Sequence, residues 1–202
     1  MSLTVNANST TSYAPIEEGT HLGVCSMLID LGMQYSEVYK NSSRKILIGW
    51  EIPDETIETE DGPKPRTISK RYTASLNESA NLRLDLEAWR GRAFTDQELE
   101  AFDLRNIVEK SCLINVVHKT SNGKTYANIG SVMALPKSMK PGQLSEPPLI
   151  YDIDDDPIEA VNDLPGWIKD IVTKSQSYQD KLAAPPAMTE MNEEESDGQP
   201  PF

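Results

Sequence analysis

The dipeptide Asn122-Gly123 stands between two runs rich in β-branched residues, Ser111 to Thr120 and Lys124 to Leu135. A type I′ turn needs positive φ at both central residues, which Asn and Gly tolerate, and its twist matches that of the strands it joins. The spacing therefore predicts an antiparallel hairpin. Three further extended segments precede it. Thr20 to Gln34 carries apolar residues on both alternating faces, with Gly23 and Gly32 relieving a bend in a long, curved strand. Arg44 to Ile52 is β-branched and aromatic and stops at Pro53, after which Asp54 to Lys64 reads as a polar loop. In Arg66 to Ala74, Thr67, Ser69, Arg71 and Thr73 oppose Ile68, Lys70 and Tyr72.

Between the third and fourth strands the period becomes helical. Ser75-Leu76-Asn77-Glu78 has the form of a capping box ahead of Leu82, Leu84, Leu86 and Trp89, and Gly91 suits the residue that closes the helix. A second box, Thr95-Asp96-Gln97-Glu98, starts a short helix ending near Phe102. Three strands, a helical insert and two strands make a mostly β chain in the order of a five-stranded OB-fold barrel, whose strand 2–3 face and neighbouring loops bind oligonucleotides. An SH3-like barrel and an α+β sheet are the alternatives. The organisation expected is a flexible arm at 1–12, the OB-fold domain at 13–150, an acidic linker and short helix at 151–181, and a disordered acidic tail at 182–202. Within the linker region, Pro165 to Lys181 reads as one helix with Trp167, Ile168, Ile171 and Val172 on one face.

Charge is distributed unevenly over the 202 residues. Residues 151–202 hold 13 of the 32 acids and only Lys169, Lys174 and Lys181 as bases, a net of −10 out of −13. The acidic balance thus belongs to the last quarter, and the remaining −3 on residues 1–150 leaves room for a polyanion-binding surface. Cys25 and Cys112 lie in apolar stretches without CxxC spacing and read as buried free thiols. The polar start has no signal-peptide pattern, and no segment approaches the ~20 apolar residues of a membrane span, so a soluble cytoplasmic protein is expected.

Single-strand binding needs aromatic faces for bases and cations for phosphates. Lys64, Arg66, Lys70 and Arg71 sit on or before the third strand beside Tyr72; Trp50 lies on the second; His118, Lys119, Lys124 and Tyr126 flank the hairpin. These ten are the candidate DNA contacts, with Trp50 read as core ahead of platform and Tyr72 and Tyr126 placed evenly between the two. No cofactor is expected. His21 and His118 have no partner at zinc spacing, there is no Gly-rich phosphate loop or GxSxG, and Pro157 stands where an EF-hand starting at Asp152 needs glycine.

Two stretches resemble known proteins. The block from Tyr72 to Leu104, YTASLNESANLRLDLEAWRGRAFTDQELEAFDL, resembles small phage and prophage proteins of the single-stranded-DNA-binding OB group. The end of the chain, with Glu193, Glu194, Glu195 and Asp197 before Pro200, Pro201 and Phe202, is similar to the tail of bacterial single-stranded-DNA-binding proteins. It departs from that pattern at Gly198, Gln199 and Pro200, where the bacterial tip keeps acids and an isoleucine. The resemblance implies non-catalytic binding of single-stranded DNA in phage replication or recombination, inside an infected or lysogenic bacterial cell. It also implies a tip that recruits replication or recombination proteins. Single OB domains often pair so that a strand spans several grooves, and residues 136–181 could supply the contact of such a homo-oligomer. A phenylalanine ring suits an apolar pocket and upstream acids suit its basic rim. The competing expectation is an acidic protein-interaction factor, a host-enzyme inhibitor or DNA mimic, that does not bind DNA.

Overall fold

The computed structural model describes residues 14–59 and 62–184. Its elements run β1 (Gly19–Ser36), β2 (Asn41–Thr59), β3 (Gly62–Thr73), α1 (Asn81–Arg90), α2 (Asp96–Glu100), β4 (Ser111–Ser121), β5 (Lys124–Ala134), β6 (Leu149–Tyr151), α3 (Gly166–Thr173) and α4 (Gln176–Ala183). Single 3-10 turns precede β4, at Leu104–Ile107, and α3, at Ile158–Asp163. The six strands form one open, mostly antiparallel sheet in the order β3-β2-β1-β4-β5, with β6 added in parallel to β1. β3 and β5 approach each other across a seam with no hydrogen-bonded ladder between them among the described residues.

β1 organises the sheet by changing partners along its length. Residues Gly19 to Val24 pair with β4, Val24 to Ser36 with β2, and Met27 to Ile29 with β6, with irregularities between Cys25 and Met27 and between Asp30 and Gly32. Both faces of this strand are covered, which explains its lack of clean polar alternation. On one face Cys25 and Leu28 join Ile48, Trp50, Ile68, Tyr72, Ile114, Val116 and Val132, closed below by Leu82, Leu86 and Trp89 of α1. On the other, Ile29, Leu31 and Leu47 meet Tyr151, Ile153, Val161, Leu164, Ile168 and Val172. Fully burying each aliphatic side chain of this second core contributes about 1.5–3 kcal/mol.

That second core changes the picture of residues 151–181. The expected acidic linker and short helix is here a strap, folded onto the outer face of β1 and β2. The single helix expected over Pro165 to Lys181 is two, broken at Ser175, which is buried against Gly32 and caps α4 through its hydroxyl. A methyl group at Gly32 would meet the Ser175 hydroxyl at 2.5 Å, so the glycine is required by this close approach. Ile168 and Val172 face the core as expected, but Trp167 is exposed.

Other departures are local. Pro53 does not stop β2, because beyond an irregularity at Ile52 to Thr56 the ladder to β3 resumes; the expected polar loop is mostly the far end of this hairpin. The Ser75 box is idle: α1 begins at Asn81 after Ala80, without a side-chain cap, and Ser75 accepts instead from the Asn77 backbone. The Thr95 box forms with both reciprocal bonds, Gly91 ends α1 in the left-handed conformation, and Asn122-Gly123 makes the predicted turn with φ of 50° and 73°. Both cysteines are free and buried, and burial pushes the Cys25 thiol up to about 12.

Candidate nucleic-acid interface

The third strand divides its cations between two faces. Ile68 and Tyr72 point into the core, and Lys70 shares their side; Thr67, Ser69, Arg71 and Thr73 face outward. Tyr72 is therefore no stacking platform. Its hydroxyl donates to Asp85 at 2.7 Å, and burial followed by the Asp85 charge pushes its pKa up, keeping it a donor. Lys70 donates to the same carboxylate at 2.7 Å and lies 5.2 Å above the Tyr72 ring. Trp50 is likewise removed from the surface. It is 1% exposed and tilted against Trp89 at 5.7 Å, with its indole N–H buried without a partner among the described residues.

The remaining candidates separate into engaged and exposed groups. Lys64 lies 3.2 Å from Glu146, and Arg66 4.0 Å from Glu55. The His118 imidazole hydrogen-bonds the Ile16 carbonyl at 2.7 Å, while its backbone N–H donates to Glu18. The ring thus anchors the segment before β1. Arg71, Lys119 and Lys124 are exposed. Tyr126 is 50% exposed and sits directly opposite Lys119 in the β4–β5 register.

Two hollows collect these side chains. The first, about 490 Å³, fills the seam between the free edges of β3 and β5. Arg66 and Thr67 line one wall, Lys124 and Tyr126 the other, and Ala14 to Ile16 close one part of it. It brings together a guanidinium, an ammonium and a half-exposed aromatic ring from strands more than fifty residues apart. The second, about 430 Å³, lies at the other end of β3, where Arg71 and Lys45 meet Ser75, Asn77 and Ser79. Lys45 donates to Thr73 at 2.6 Å and was not among the sequence candidates.

A third feature also escaped the sequence reading. The β1–β2 hairpin projects Tyr35, Val38 and Tyr39, which are 57%, 83% and 78% exposed. The signal was two tyrosines bracketing a turn among polar neighbours, Tyr35-Ser36-Glu37-Val38-Tyr39-Lys40, without the Asn-Gly mark that made the other hairpin obvious.

At the strap the electrostatics run the other way. Asp30, Asp152 and Asp154 bring carboxylate oxygens within 4.8 Å of one another, a spacing that could hold a cation. Arg44 supplies that charge, hydrogen-bonded to Asp30 and to Asp154 at 2.6 Å; the Asp30 bond above all raises its pKa. Arg105 pairs with Asp152 and Asp155 at 3.1 and 2.6 Å, and Lys181 donates to the carbonyls of Ile153, Asp154 and Asp156.

Glu193, Glu194, Glu195, Asp197, Pro200, Pro201 and Phe202 lie outside the described residues. Among the described residues no helix is long and apolar enough to cross a membrane. No family model matches the chain, and no curated protein is similar to it.

Proposed function

We propose that this chain is a non-catalytic single-stranded-DNA-binding protein built on an OB-type barrel. The observation that carries this reading is the seam hollow, where Arg66 and Lys124 flank Tyr126 in a groove open to solvent. A cation pair beside an aromatic face is what an unstacked strand needs: phosphates meet charge and a base meets the ring, with little dependence on sequence. The strand order β3-β2-β1-β4-β5, with helices between β3 and β4, supports the OB reading, with the β3–β5 seam as the unclosed part of the barrel. The exposed tyrosines of the β1–β2 hairpin and the Lys45–Arg71 hollow extend the contact surface to the other end of β3. In this reading the acidic tail recruits replication or recombination proteins through its Pro-Pro-Phe tip. The phage setting rests on the sequence resemblance, and pairing into homo-oligomers on the OB reading.

The direct test is competition between oligo-dT and duplex at low salt, read by fluorescence anisotropy. Preference for oligo-dT is expected, with affinity falling as salt rises. Contacts from Lys45, Arg66, Arg71, Lys119 and Lys124 together give a log–log salt slope of about −3.5, at about −0.7 for each phosphate on a single strand. Equal affinity for duplex, or no binding at low salt, overturns the reading.

A further inference from the structure

The segment ahead of β1 enters the fold through the open side of the sheet. Ile16 is buried in the inner core, and its carbonyl is held by the His118 imidazole at 2.7 Å. Ala14, Pro15 and Ile16 line the seam hollow beside Arg66 to Ile68 of β3 and Lys124 to Ala127 of β5. The 13 residues before Ala14 are therefore delivered to the gap between the two end strands. Each of these strands has a hydrogen-bonded neighbour on one side only, β2 for β3 and β4 for β5. Their inward edges carry N–H and C=O groups that no strand pairs among the described residues, the condition under which an extended segment adds to a sheet. Elsewhere these edges are protected. α1 lies against β5 toward its far end, with Gly91 close to Ala134, and Pro63 and Pro65 take two N–H groups from β3 ahead of Arg66. The hollow is the stretch that neither device covers.

We propose that the chain's own N-terminal segment docks here, with Ser9 to Tyr13 as an added strand against residues 66–68 and 124–127, and that single-stranded DNA displaces it. The composition fits an added strand. Residues 2–13 contain no Asp, Glu, Lys or Arg and no Gly or Pro, the residues that discourage strand pairing, and Thr10, Thr11 and Tyr13 favour it. The length fits as well. Five extended residues reach about 17 Å, and the wall from Arg66 to Ile68 is roughly 10 Å long. A segment without acids covers Arg66, Lys124 and Tyr126 and neutralises neither cation. Both keep their attraction for phosphates, so DNA meets a cover that yields and not a competing anion. The docking stands on the sheet edges and the path of the chain; only the displacement rests on the DNA reading above.

The test compares amide hydrogen exchange, resolved by residue with NMR, in the full chain and in its Thr10→Pro, Thr11→Pro variant. The substitutions take one N–H from each edge of the segment and lie outside the described fold. Without DNA, at least one amide among 66–68 and 124–127 should exchange about fivefold faster in the variant, the scale of one lost hydrogen bond. Oligo-dT affinity should rise by up to the same factor. Unchanged exchange at these amides overturns the docking, and so does protection that grows with protein concentration, which assigns the strand to a second copy. Faster exchange with unchanged oligo-dT affinity overturns the displacement. Faster exchange in a chain that binds no oligo-dT keeps the docked segment and removes the DNA reading, which separates the two failures.

Discussion

The strap and the seam contain the same kinds of cation and use them in opposite ways. At the strap, Arg44, Arg105 and Lys181 are all held by oxygens of residues 152–156, and their work is to fasten the C-terminal helices to the sheet. At the seam and the β4–β5 hairpin, Arg66 has only a distant carboxylate at 4.0 Å, and Lys119 and Lys124 have none among the described residues. The difference teaches that a cation's role follows from the carboxylates that the fold places within reach, and not from the density of Lys and Arg in the sequence. The run from Lys64 to Tyr72 illustrates this within one strand. Lys70 is fixed on Asp85, whereas Arg71, one residue later, faces solvent.

The contrast can be broken at either region. The largest effect is expected from Ile168→Ala, which empties a fully buried site in the strap core. Urea unfolding should show a loss of about 2–5 kcal/mol; a value near zero would mean that the strap is only an appended linker. At the seam, Tyr126→Ala should leave stability nearly unchanged and weaken oligo-dT binding by about 1–3 kcal/mol, the contribution of one stacked base. Trp50→Phe should do the reverse, since Trp50 touches only core. The smallest effect separates the neighbours on β3. Arg71→Ala should make the salt slope shallower by about 0.7, while Lys70→Ala leaves the slope unchanged and lowers the unfolding midpoint. Equal slopes for the two variants would erase the distinction between engaged and exposed cations.

Local signals were legible where backbone chemistry decides the outcome. Asn122-Gly123 and Thr95 to Glu98 mark their turn and cap because the requirement and the residues that meet it lie within four positions. Pro53 misleads because a proline needs only a place where no ladder bond is asked of it, and the irregularity in β2 provides one. Lys70 and Tyr72 were unreadable as structural residues because their partner, Asp85, lies on a helix more than ten positions away. The Arg44–Asp154 bond joins residues 110 positions apart, and nothing local announces it. The exposure of Tyr126 and the burial of Tyr72 depend on register and on α1, so the sequence placed both evenly between core and platform.

The changing partners of β1 have a consequence for how the chain is made. The hairpins from β1 to β3 are available once residue 73 has emerged, but their inner face stays uncovered until α1 and β4 arrive. The outer face waits longer, because β6 and the strap supply its cover only after residue 149. A growing chain therefore carries a two-sided apolar strand through most of its synthesis, and its first strand is among the last to be finished.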